Sequence, residues 1–196
     1  MKMRAFVLPL AAALGLAACA PSLADDVDLE NVAPDDIAWI GETPIYPTAT
    51  IAENIAAADT FSHLAALVER VGLAEKLGEA GPFTIFAPTD EGFDQVPQAV
   101  RQSLAKPENA EKLRAIVAGH VVPGRLPLVD LEARIAAGGG TYEAETLAGT
   151  TLTFRAERGT VVVSGRDGIE SRLTMADLAQ ANGMMHVIDE VLLPEG

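Results

Sequence analysis

The feature that most constrains this chain is a change of hydrophobic period near the run Gly138-Gly139-Gly140. Before that run apolar residues recur every three or four positions; beyond it they fall in short β-type runs cut by glycines. Ile51, Ile55, Leu64, Leu67, Val68 and Val71 predict two or three short helices from Thr50, stopped at Gly72 and Gly78. Residues 90–104, 108–117 and 128–136 predict three more, the first two opening on polar residues suited to capping orphan amides. Residues 83–86 and 120–122 predict short strands, bounded by Gly81-Pro82, Ala87-Pro88 and Pro123-Gly124. After the triple glycine, strands are predicted over 142–145, 151–156, 161–164, 172–179 and 184–193. Helices crowd the first half and hairpins the second, which points to an α+β domain and away from alternating βαβ units.

The N-terminus has a different character. Lys2 and Arg4 precede an uncharged apolar run over residues 5–16, then Ala17, Ala18 and Cys19. That order predicts an export signal over residues 1–18, and the run falls short of the roughly 20 apolar residues a membrane span needs. Leu16-Ala17-Ala18-Cys19 resembles the lipobox of bacterial lipoproteins, which implies cleavage before Cys19 and lipid on its thiol. A lone cysteine in an exported chain closes no internal disulfide, in keeping with that role. Ser22-Leu23-Ala24 before Asp25 is the rival cut, giving a secreted or soluble periplasmic product. Ala20 after the cysteine resembles lipoproteins sorted to the outer membrane.

The chain carries 14 Lys and Arg against 28 Asp and Glu. Loss of Lys2 and Arg4 leaves a net charge of about −16 at ordinary pKa values. That charge argues against a nucleic-acid partner and against electrostatic attachment to anionic lipid, so membrane contact is expected through the lipid anchor alone. Cationic ligands, neutral glycans and proteins remain as partners. Residues 19–44, with Asp25-Asp26 and Asp35-Asp36, read as an acidic tether, and Trp39, Ile40, Ile45 and Tyr46 are expected to dock its end on a domain over residues 45–194.

Thr84-Ile85-Phe86-Ala87-Pro88-Thr89-Asp90-Glu91-Gly92-Phe93 resembles the first signature box of the fasciclin domain family. Asn182-Gly183-Met184-Met185-His186-Val187-Ile188-Asp189-Glu190-Val191-Leu192-Leu193-Pro194 resembles the second, and Gly119-His120-Val121-Val122-Pro123-Gly124 is similar to the central histidine strand. Thr84, Phe86, Pro88, Thr89, Asp90, Phe93, His120, Gly183, His186 and Asp189 are thereby the structural motif residues. The resemblance implies a wedge of two β-sheets with short helices along one edge, and a binding or adhesion role without catalysis. Two positions depart from the family: Gly119 where Tyr is common, and Met184-Met185 where Val and Ile are usual. Asp177 and Leu178 are similar to an Asp-Ile pair implicated in integrin adhesion by animal fasciclin domains. Strand alternation makes Asp177 the surface member and Leu178 the core member.

No phosphate loop, dinucleotide fingerprint, paired-histidine zinc motif or serine elbow occurs, so no cofactor or metal is expected. His63, His120 and His186 are far apart in sequence. His120 and His186 are expected as core imidazoles bonded to backbone or carboxylate. Asp189 is expected to accept a hydrogen bond from His120 or Thr89. The functional expectation is an exported, non-catalytic binding and adhesion module of the cell envelope, recognising an envelope or extracellular protein or glycan. The alternatives are a periplasmic enzyme or accessory protein acting on an envelope glycan or ester, and an apolar small-molecule carrier with a lined cavity.

Overall fold

The computed structural model describes residue 33, residues 36–165 and residues 168–193. The export signal, Cys19, most of the tether and Pro194 lie outside the described residues.

The described fold begins with a hairpin, β1 (Ala38–Ile40) and β2 (Thr43–Ile45), which spans the end of the segment read as tether and the first residue of the expected domain. Ile40 and Ile45 enter the core, whereas Trp39 is 56 % exposed. Three short helices follow: α1 (Ile51–Ala57), α2 (Ser62–Arg70) and α3 (Ala74–Gly78). A capping box starts α1, with Thr50 Oγ1 accepting from the Glu53 amide and Glu53 Oε2 accepting from the Thr50 amide.

Strand β3 (Phe83–Pro88) leads to α4 (Asp90–Gln95), α5 (Gln98–Leu104) and α6 (Ala110–Gly119). The single helix expected over 90–104 is two, because Val96 is extended before Pro97, the residue before a proline being biased out of the helical region. His120 is the last-turn cap of α6 and not a strand residue; β4 is Val121–Pro123. Then come α7 (Leu128–Ala137), β5 (Thr141–Glu145), β6 (Thr151–Glu157), β7 (Thr160–Ser164), β8 (Glu170–Gln180) and β9 (Gly183–Ile188). The last strand stops at Ile188, five residues before the predicted end.

Seven strands form the order β4-β3-β9-β8-β7-β6-β5. The eleven-residue β8 divides this ladder into two leaves: its first part pairs with β7 and the rest with β9. The two sheets of the wedge therefore share one strand. β3 and β9 run parallel and are buried throughout, as expected of a parallel pair covered on both faces. Alternation along them separates two cores. Phe83, Ile85, Ala87, Met185 and Val187 face the helices of the first half, together with Phe61, Leu64 and Leu113. Phe86 and Ile188 face α7 and the hairpin leaf, with Leu131, Phe154 and Val163. Each core buries several large apolar side chains, each worth about 1.5–3 kcal/mol of transfer free energy.

Candidate functional site

The two signature boxes meet at the sheet centre, where Phe86 of β3 lies in register with His186 of β9. Their rings stack with centroids 5.4 Å apart and planes 19° apart, and Phe154 packs against Phe86 at 5.0 Å. Next to Phe86, the hydroxyl of buried Thr84 donates to Gly124 O at 2.7 Å and accepts from the Leu126 amide at 2.9 Å. The carbonyl of Leu126 in turn accepts from His186 Nε2 at 2.9 Å. With its proton on Nε2, the ring offers Nδ1 as an acceptor, and the Asp177 amide donates to it at 3.2 Å.

Asp177 occupies an irregularity of β8. The register passes from Met175 opposite Val187 to Leu178 opposite Met185, so β8 holds one more residue than β9 over this span. Asp177 has φ 61°, a left-handed conformation that Asp tolerates better than most residues. Leu178 is buried and Asp177 exposed, but through a bulge and not through the regular alternation expected. Pro127, which precedes α7, provides no side-chain cap. Asp177 supplies one from 49 residues away, its Oδ1 accepting from the Leu128 amide at 2.8 Å. Beside this corner is a depression of about 240 Å³ bordered by Leu128, Glu132, Thr160 and residues 173–176.

The second buried imidazole is a bracket of the same kind in the opposite tautomer. His120 Nδ1 donates to Ile116 O at 2.8 Å, and Nε2 accepts from the Leu192 amide at 3.0 Å. Burial pushes the His120 pKa down to about 4, against the raising effect of the Ile116 hydrogen bond. Burial also lowers that of His186, opposed by the Leu126 hydrogen bond and the Asp177 charge. Both rings are thus held neutral near pH 7.

Asp189 differs from expectation. Its Oδ1 accepts from the Arg172 amide at 2.7 Å and Ser171 Oγ at 3.0 Å, and neither His120 nor Thr89 reaches it. The cause is β9 ending at Ile188, which turns Asp189 toward the start of β8. Thr89 Oγ1 caps α4 by accepting from the Gly92 amide at 3.3 Å. Asp90, in the first turn of α4, caps a different helix: it accepts from Ser62 Oγ at 2.6 Å and from the His63 amide at 2.9 Å, at the start of α2. Burial opposes its ionisation, but the Ser62 and His63 hydrogen bonds and the His63 charge hold the Asp90 pKa below the usual value. Phe93 returns to the core, its ring 5.7 Å from His63, and Pro88 ends β3 opposite Ile188.

Sequence reasoning missed the polar hub Asn182. Its Oδ1 accepts from the Ile51 amide at 2.9 Å, and its Nδ2 donates to Leu77 O and Glu79 O, each at 2.7 Å. One amide thereby satisfies the start of α1 and the end of α3. A second buried amide, Asn54, bonds both backbone groups of Tyr46 and the side chain of Gln180. The available signal was Asn182 beside Gly183 in the second box, but its partners are over a hundred residues away.

A Fasciclin domain profile matches residues 59–194. The chain belongs to the fasciclin domain family. It is 36 % identical to Protein sll1483 of Synechocystis over 194 residues, covering 99 % of both chains. It is 31 % identical over 149 residues to the pig transforming growth factor-beta-induced protein ig-h3, covering 76 % of this chain and 20 % of that one. With human periostin the identity is 30 %, covering 74 % and 16 %. The chain therefore spans a fifth or less of those two animal relatives. Its fold matches a FAS1 domain pair from the insect cell adhesion molecule Fasciclin I, with TM-score 0.65 and 20 % identity, covering 74 % of this chain and 51 % of that one.

Proposed function

We propose that this chain is an exported, non-catalytic adhesion-type module of the cell envelope, held by lipid on Cys19 and recognising an envelope or extracellular protein or glycan. The observation behind the non-catalytic assignment is the bonding of the two buried histidines. Every ring nitrogen of His120 and His186 is committed to a backbone group, so neither ring is left to exchange a proton with a substrate. The adhesion assignment draws on family membership and on the insect neighbour, a cell adhesion molecule. Export and lipidation draw on the order of charges, apolar run and cysteine over residues 1–19. A membrane-spanning helix is absent among the described residues.

In this reading Asp177 is the residue offered to the partner and Leu178 is its buried support. The exposed carboxylate sits on a bulge fastened by His186 and α7, so it reaches a partner already ordered. Asp177→Asn keeps the oxygen that caps α7 and removes the charge. Weaker capture of envelope components by this variant, at unchanged melting temperature, supports the site; capture equal to wild type removes Asp177 from the interface. For the anchor, Cys19→Ser is expected to move the protein out of the membrane fraction. An intact mass beginning at Asp25 without lipid would overturn that assignment.

A further inference from the structure

Helix α2 buries Leu64 and Val68 and turns a second face, Ala66, Leu67 and Arg70, toward a cleft of about 430 Å³. Phe93, Leu113 and Ile116 from α4 and α6 wall it, and Val191 and Leu193 from the C-terminal segment close it. The volume lies near the small end of the range of small-molecule sites, about 300–1,000 Å³. The lining is hydrocarbon apart from a few groups, and their sign is informative. Among the described residues of this acidic chain no carboxylate lines the cleft, whereas His63, Arg70 and Arg101 do.

Both arginines line the cleft, and Arg70 reaches the C-terminal end of α5, the helix that carries Arg101. The Arg70 guanidinium donates to Ala105 O, and the Ala105 amide donates to Arg101 O one helical turn back. Among the described residues no carboxylate pairs with Arg70. Arg101 shares Asp94 at 3.1 Å, with side chains 42 % and 68 % exposed, a pair that water and salt weaken. His63 lies seven residues before Arg70, on the order of 10 Å along α2, and is already engaged with Asp90.

We propose that this cleft binds a fatty acid, its carboxylate on Arg70 and Arg101 and its chain along Ala66 and Leu67 toward Phe93. A guanidinium fork matches a carboxylate geometrically, and donors remain on Arg70 beyond the one given to Ala105. The apolar walls would add roughly fourfold in affinity per buried methylene. A cleft of this size takes one chain and not the two of a phospholipid.

The test is displacement of a fluorescent fatty-acid probe from the full chain by saturated carboxylates of about eight to sixteen carbons and by the matching primary alcohols. Affinity is expected to climb by about fourfold per methylene to a plateau, with carboxylates ahead of alcohols by about tenfold. The double variant Arg70→Gln, Arg101→Gln should lose the preference for the acid while still binding the alcohol. Ala66→Trp, which fills the cleft, should abolish binding of both at unchanged melting temperature. If Ala66→Trp unfolds, the arginine variant decides alone. Equal affinity for acid and alcohol in the wild type, wild-type binding by either variant, or no displacement at all overturns the proposal. Self-association broken by Ala66→Trp, without ligand binding, would assign the cleft to a second copy instead.

Discussion

The Leu192 amide donates to His120 Nε2 at 3.0 Å across 72 residues of sequence, tying the segment after β9 to the end of α6. The bond exists only while that nitrogen keeps its lone pair. Protonation would set two donors against each other inside the core.

This makes stability depend on acid. The folded pKa of His120 is about 4, below its ordinary 6.5. Above about pH 6.5 the ring is neutral in both folded and unfolded chains, and stability is at its full value. As pH falls from 6.5 to 4 only the unfolded chain takes up the proton, so stability is lost, by at most roughly 3 kcal/mol. The lowered pKa of His186 acts in the same sense. Thermal melts at pH 7.5, 6, 5 and 4 should show a progressive fall, and His120→Ala should be less stable at pH 7.5 with a shallower decline. A melting temperature independent of pH across this window would contradict the bracket.

Asn182 predicts a large effect from a small change. Asn182→Ala strands the Ile51 amide and two carbonyls in a buried site, with an expected cost of about 3 kcal/mol in urea unfolding. Asn182→Asp keeps an acceptor for Ile51 but has no donor for Leu77 and Glu79, and should also destabilise. Near-wild-type unfolding of either variant would show that water replaces the amide.

Glycines separate by what a side chain would meet. A Cβ on Gly183 would collide with Phe83 O and approach Ile51 Cδ1 to 3.0 Å; on Gly92 it would come 2.8 Å from Asp189 O. Gly183→Ala is therefore expected to cost about 3 kcal/mol, by overpacking against the Phe83 carbonyl, a backbone group that a side-chain rotation cannot move aside. Gly78 ends α3 with open space around it, and Gly78→Ala should be neutral or stabilising by up to about 1 kcal/mol. Similar melting temperatures for the two variants would refute the steric account.

Asp177 combines two local demands, an acceptor for the Leu128 amide and a tolerance of φ 61°. Asn meets both, so Asp177→Asn should change stability by less than about 0.5 kcal/mol. Ala meets neither, and Asp177→Ala should cost about 1–2 kcal/mol. Calorimetry on the pair separates the structural role from any binding role of the charge.

Much of the fold was legible along the chain, because period and punctuation are local properties. The apolar run at Phe83, the capping residues at Thr50 and Thr89, and the glycine-cut hairpins after Gly140 each mark an element within a few residues of its bounds. The break at Pro97 was legible too, and reading one helix through it underrated the restriction proline places on Val96. Asp177 and Leu178 were assigned to surface and core by alternation, yet one inserted residue in β8, invisible to pattern, supplied the turn that lifts Asp177 out.

The rest was decided by residues that meet only after folding. Asp189 turned to Ser171 and Arg172 because β9 stops where it does; Asn182 found Ile51, Leu77 and Glu79 from over a hundred residues away; Asp90 capped α2, while Thr89 capped the helix that carries Asp90. A sequence by itself specifies which segments must bury an apolar face and where orphan amides and carbonyls will arise, since both follow from local composition. Which polar side chain satisfies them depends on the packing of distant elements, because a hydrogen bond is made only at about 3 Å and no local pattern encodes that distance.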